Sequence, residues 1–251
     1  MKILTDTATV FTRELRPFVH QPVAMLFGMI QPLVFLALFG PLLSATTGLP
    51  TDESLQWFVP GILVMLVLFA SSMTGSGLQM EMQTGAHERL LVTPLSRSSL
   101  LIGRALKEIV PCALGAVAVI AAVLPFGFDL HVEGAVLGLG ILALFAVGIG
   151  GLSYALAIAS KGSDWVFWTV QQMALFPLLL LSGVLLPLED GPGWLNAMAD
   201  VNPLKYGVAA ERALFDGDVL TADVAYGAIA ALAVLVVGLW VGVRAMRAQA
   251  A

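Results

Sequence analysis

The chain has 251 residues, 59% of them hydrophobic and only 12% charged, with a mean hydropathy of +0.92 and a formal net charge of −5. Soluble domains carry about 25% charged residues, so this composition excludes a soluble α/β enzyme and a disordered chain. A sequence pI near 5.1 also leaves no basic footprint for nucleic acid. What remains is a polytopic membrane protein.

Residues 1–22 form the leader MKILTDTATVFTRELRPFVHQP. It places Ile3, Leu4, Thr7, Val10, Phe11, Leu15 and Phe18 at helical spacing, with Arg13 and Arg16 off that stripe. The pattern fits either an amphipathic helix lying in the membrane interface or a solvated lead-in that only anchors. Six runs without Asp, Glu, Lys, Arg or His follow: 23–43, 59–79, 109–128, 134–159, 166–188 and 224–243. A helix crosses a hydrocarbon core of about 30 Å with about 20 residues, so each run is long enough to span. The runs are continuous rather than alternating, which favours helices over barrel strands. The first exceeds the apolar region of a cleaved signal peptide and reads as a retained helix.

With the N-terminus on the cytoplasmic side, ten of the twelve basic residues fall inside and only Lys205 and Arg212 outside. The resulting balances, +4 inside and −9 outside, are a strong positive-inside asymmetry that places both termini in the cytoplasm. The expected fold is an all-α integral membrane protein of six transmembrane helices. It begins with an interfacial helix (1–22), carries a long inner loop (80–108), and has an outer re-entrant or loop region (189–221) before the last span. The short apolar stretch from Trp194 to Val201, between Pro192 and Pro203, suits the re-entrant part because it is too short to cross.

The chemistry that is missing narrows the function. No Walker A pattern occurs, and Lys161-Gly162-Ser163 lacks its glycine spacing. Gly75-Ser76-Gly77 lacks the frame of a nucleophile elbow. The lone Cys112 cannot close an internal disulfide, and His20, His87 and His131 show no metal-ligand spacing. The uncharged runs weigh against a proton- or ion-coupled transporter. Small residues from Ser71 to Gly77, at Gly134 and Gly138, and at Gly148, Gly150 and Gly151 read as close helix packing. The chain is not expected to be an enzyme or to bind a cofactor or metal, so work done by it draws energy from a partner.

Two stretches say more. The inner loop reads GAHERLLVTPLSRSSLLIGRALKE from Gly85 to Glu108. The outer one reads SGVLLPLEDGPGWLNAMADVNPLKYGVAAERALFDG from Ser182 to Gly217. Together they resemble the ABC-2 type transporter permeases, particularly the drug-exporter branch related to daunorubicin resistance, and the likeness covers nearly the whole chain. The resemblance implies a permease dimer, with a second copy or a paralogue, served by two cytoplasmic ABC ATP-binding subunits that hold the ATP and Mg. It implies efflux of a hydrophobic or amphipathic small molecule or lipid across a bacterial-type plasma membrane. A glycan or other polymer as cargo, and a non-transporting membrane scaffold, stand as alternatives.

By the same resemblance the inner loop would be a coupling helix. Its contact candidates are Gly85, Glu88, Arg89, Leu90, Leu91, Thr93, Pro94, Leu95, Ser96 and Arg97. Glu88-Arg89 offers a polar face, Leu90-Leu91 an apolar anchor, and Thr93-Pro94 a helix stop; the bland alternative is a loop that merely sets topology. His87 departs from the aliphatic residue common there. In the outer motif Pro187, Gly191, Pro192 and Gly193 would turn the chain back, and Trp194 would anchor at the interface. Asn202-Pro203 would open a helix whose Val208, Ala209 and Leu214 lie on the membrane surface. The first and fifth spans of such permeases face the dimer axis, which makes Phe27, Gln31, Phe35, Gln171 and Gln172 candidates for a substrate path. The competing reading has the phenylalanines facing lipid and the glutamines bonding across a helix interface.

Overall fold

A computed structural model describes residues 2–20, 22–47, 50–185, 188 and 191–248. Among them there is no strand, and the helices run in the order α1 (Lys2–His20), α2 (Pro22–Thr47), α3 (Thr51–Gln83), α4 (Ala86–Leu91), α5 (Arg97–Leu106), α6 (Ile109–Val123), α7 (Val132–Ala159), α8 (Asp164–Leu180), α9 (Gly193–Asp200), α10 (Pro203–Phe215) and α11 (Ala222–Ala248). Among the described residues, four segments are long and apolar enough to cross a membrane: Glu53–Gln83, Arg97–Phe126, Val132–Ala159 and Ala222–Ala248. They contain the second, third, fourth and sixth expected runs apart from the last residues of the third.

The run at 166–188 behaves differently. α8 has only 17 residues and stops at Leu180, short of the roughly 20 that a perpendicular crossing needs. The stop has a local cause. Ser182 Oγ donates to the Leu179 carbonyl at 2.6 Å, and Gly183 takes a left-handed φ of 76° that a right-handed helix cannot continue.

α3 is the centre of the bundle. It packs on α2, α6, α7, α8 and α10, and its Phe58, Ile62, Leu63, Met65 and Leu78 are almost fully enclosed. α11 instead turns Tyr226, Ile229, Val236 and Trp240 outward, as a helix facing lipid or a partner would. Its inner face meets α7 backbone to backbone. A Cβ on Gly148 would lie 2.6 Å from the Val234 carbonyl oxygen, and one on Gly151 would lie 2.7 Å from that of Gly238. Between apolar helices in lipid, such close approach supplies the dispersion contact that the hydrophobic effect cannot. Gly238→Val, whose branched side chain would strike the Gly148 backbone, is expected to destabilise the bundle by about 3 kcal/mol. The thermal midpoint of the purified protein in mild detergent measures this, and a shift no larger than that of Ala228→Val would refute the contact.

Small residues also explain why α10 does not lie on a membrane surface. Val208 and Leu214 are 1% and 0% exposed, so the surface-helix expectation is overturned for both. Gly207 receives the Phe145 ring, Gly138 receives the Glu211 side chain, and Gly134 sits against the Leu214 backbone. α10 therefore lies along the Val132 half of α7, from mid-bundle to the end of the molecule where Phe215 and His131 meet. Side chains larger than hydrogen at Gly134 or Gly138 would have kept it out.

Candidate functional site: a charged docking end and an apolar cavity

At the end of the bundle that carries α4 and α5, the inner loop is an ordered turn between two helices. Gly85, at φ 68°, lets the chain leave α3 and begin α4. The Thr93 hydroxyl bonds the Leu90 carbonyl at 2.6 Å, and Ser96 caps α5 by accepting from the Ser99 amide at 3.2 Å. Glu88, Arg89, Val92 and Pro94 are exposed, whereas Gly85, Leu90, Leu91, Thr93, Leu95, Ser96 and Arg97 are half-buried. Val92, at 86% exposure, is an apolar residue on the outer surface of the turn. His87, the departure from the usual aliphatic residue, is 2% exposed and lies behind the exposed face of α4.

α1 braces this loop through several contacts. Asp6 accepts from the Ser96 amide at 3.2 Å, and the Ser99 hydroxyl donates to the Ile3 carbonyl at 3.1 Å. Val10 is buried against Gly103, where a Cβ would come within 2.8 Å of it. The expected apolar stripe is thus split: Val10 faces α5, and Ile3 and Leu4 are exposed. Behind it Arg104, 2% exposed, pairs with Glu81 of α3 and lies 3.4 Å from Glu14 of α1. Arg13 adds contacts to Glu81 at 3.7 Å and Glu14 at 3.5 Å. This four-residue cluster ties three helices at the base of the loop. Nothing in the local sequence announces it, because its members are 67 and 23 residues apart along the chain.

The candidate path residues are not all brought together. Gln31 is exposed, and Phe35 stacks on Phe39 at 5.4 Å, with Phe39 in turn 6.2 Å from Phe58. The side chain of Phe27 lies outside the described residues. Gln171 and Gln172 part company, Gln172 being exposed and Gln171 turned into the bundle at 5% exposure. Gln171 lines a cavity of about 270 Å³ that is bordered by α3, α7, α8, α10 and α11 and open on one side.

In the outer motif, Pro187 lies outside the described residues. Gly191 closes a turn onto the Leu188 carbonyl at 2.9 Å, Pro192 and Gly193 start α9, and Trp194 is 66% exposed. Asn202 caps α10 by accepting from Leu204 N at 3.1 Å and donates to the Leu178 carbonyl at 2.7 Å; Pro203 is the first residue of that helix. Lys205 bonds Asp200 at 2.6 Å, clamping α9 to α10. Arg212 stacks over Trp57 at 3.9 Å and donates to the Trp57 and Gly183 carbonyls at 3.2 and 2.9 Å. It therefore bolts α10 to α3 and to the turn that ends α8.

Glu211 was missed by sequence reasoning. The six uncharged runs suggest an interior without carboxylates, yet α10 carries this one in at 0% exposure with neither oxygen hydrogen-bonded among the described residues. An unpaired buried carboxylate opposes folding. Glu211→Met, similar in length and apolar, is expected to stabilise the protein by about 1–3 kcal/mol. Thermal unfolding checks this, and a lower midpoint would show that the carboxylate has a partner in the assembled protein.

Long apolar helices around a buried central one, with an ordered charged loop at one end, define a multi-pass membrane protein. The profile of the ABC-2 type transporter family matches residues 5–215, and the chain belongs to that family. It is 28% identical over 216 residues to the daunorubicin resistance ABC transporter permease protein DrrB1 of Streptomyces coeruleorubidus, covering 85% of this chain and 76% of the relative. It is 32% identical over 205 residues to the putative transport permease ycf38 of Cyanophora paradoxa, covering 78% and 69%. It is 26% identical over 160 residues to the probable multidrug ABC transporter permease YbhR of Escherichia coli K12, covering 60% and 41%.

Proposed function

We propose that this chain is the membrane subunit of an ATP-driven exporter that moves a hydrophobic or amphipathic small molecule or lipid outward across a bacterial-type plasma membrane. α2, α3, α6, α7 and α11 supply five spans and the shorter α8, together with the turn that follows Leu180, the sixth, with both termini and α1, α4 and α5 on the cytoplasmic side and α9–α10 as the re-entrant part on the other. Two ATP-binding subunits dock on the inner loops of a permease pair and hold the ATP and Mg. The chain itself contributes the docking face, the transmission through α1, α3 and α5, and the path.

The observation that carries this reading is the α4 turn. It presents Glu88, Arg89 and Val92 to solvent, while α5, into which it leads, is held on α1 through Asp6 and Ser99 and on α1 and α3 through the Arg104 cluster. A loop that only sets topology has no need of such bracing, whereas a lever must move its helices when pushed. The names of relatives carrying drug-resistance and multidrug descriptions support a small lipophilic cargo over a polymer. The test is to purify the tagged protein from its native membrane in mild detergent and weigh what accompanies it. One ATP-binding subunit per permease is expected, and its absence from a folded, monodisperse permease would sink the reading.

A further inference from the structure

The cavity beside Gln171 lies within one protomer, behind α8. Its walls are apolar, formed by Leu68, Ile149, Leu175 and Val234 among others. Three polar side chains line it: Ser72, Ser153 and Gln171. The Ser153 hydroxyl is already engaged, donating to the Ser72 carbonyl and accepting from the Gly75 amide at 2.9 Å. Gln171 is not: it is 5% exposed, and both Nε2 and Oε1 lack a hydrogen-bond partner among the described residues.

A buried amide left unsatisfied on both atoms is costly, and proteins seldom tolerate it unless something arrives to bond it. No charged side chain lines the space, so an ionic group would be desolvated there without compensation. The occupant that fits is therefore neutral, mostly hydrocarbon, with one group able to bond an amide. The way in is lateral, since Leu152 of α7 and Ala174 of α8 line the cavity and are themselves exposed on the bundle surface. In a bilayer that surface is bathed by acyl chains rather than water.

We propose that this cavity binds a neutral lipophilic chain bearing one carbonyl, amide or ester, which Gln171 holds by hydrogen bonding. The inference rests on the exporter reading only for the role of the occupant as cargo, and it places Gln171 inside the protomer rather than on a shared axis with Gln31 and Gln172. Binding is a property of the chain alone and is read without nucleotide.

The experiment uses the purified protein, with whatever subunits accompany it, in lipid nanodiscs. Two photoactivatable probes are compared: a long-chain fatty amide carrying a diazirine, and a phosphatidylcholine carrying the same diazirine in one acyl chain. Cross-links are mapped by mass spectrometry. Saturable labelling of residues 149–156 and 174–178 is expected. It should fall about fivefold with Gln171→Leu, the worth of one buried hydrogen bond, and vanish with Ala174→Trp, which fills the cavity. Met173→Trp, on the exposed side of the same helix, should change nothing; Ala174→Leu replaces the tryptophan variant if that one does not fold. The amide alone giving this pattern assigns the site to free lipophilic molecules, and the phosphatidylcholine giving it as well assigns the site to bilayer lipid. Labelling spread along the exposed side of residues 165–180 and indifferent to Ala174→Trp would overturn the proposal. A missing ATP-binding partner would leave these outcomes untouched, so the two readings fail separately.

Discussion

Arg104→Ala is expected to cost about 3 kcal/mol and to free α1 from the bundle. Arg104 is enclosed to 2% exposure between Glu14 and Glu81, whose side chains are 14% and 25% exposed. Truncation leaves two carboxylates facing each other in a partly desolvated site, with the more exposed Arg13 beside them. Breaking a buried pair from one side costs about 3–5 kcal/mol, most of it the uncompensated charge rather than the lost attraction. The partial exposure of both glutamates argues for the lower end. Two control variants separate the causes. Arg104→Lys keeps the charge but lacks the planar fork that reaches two carboxylates, so it should recover only part of the loss. Arg104→Met combined with Glu14→Gln and Glu81→Gln should recover most of it, because no charge is stranded. Thermal unfolding reads the stability, and limited proteolysis within residues 2–20 reads the release of α1. If the triple variant is no more stable than Arg104→Ala, the cluster stabilises by its bridges and the desolvation argument fails.

The sequence was legible where its message is local. Uncharged runs announce helices because lipid tolerates no unpaired backbone group, and α3, α6, α7 and α11 fall on them. Gly85, Pro192 and Asn202 announce turns and caps because each has a short-range geometric reason to be there. What could not be read depends on contacts between distant segments. The early end of α8 hides inside an apolar run, because hydropathy does not register Gly183 with a left-handed φ. The burial of α10 hides because Gly134 and Gly138, seen alone, say only that something packs there, not that Glu211 and Leu214 do. Gln171 and Gln172 are adjacent, and only the rotation of α8 decides that one faces a cavity and the other the surface. The His87 departure hides the same way, since the step of about 100° from His87 to Glu88 separates the buried side of α4 from its exposed one.

Arg89→Glu should leave the permease folded and remove its ATP-binding partner. Arg89 is exposed on α4, and no ion pair within the described residues includes it. Its reversal therefore strands no internal charge, and stability should change by less than about 0.5 kcal/mol. A partner surface that accepts a guanidinium would instead meet a carboxylate at close range, and like charge at a desolvated contact costs several kcal/mol. A loss of at least a hundredfold in association is expected, about 2.7 kcal/mol at 25 °C. Val92→Glu tests the apolar half of the same face: at 86% exposure it contributes little to the isolated permease, but a charge there would sit in the docked interface. Both variants should lose the co-purified subunit and export together while keeping the thermal midpoint of the isolated permease. Asp218→Lys, at the opposite end of the bundle beside Gly217, should affect neither. Retention of the partner by both loop variants would move the docking face elsewhere, and the bracing of α5 by α1 would then need another purpose.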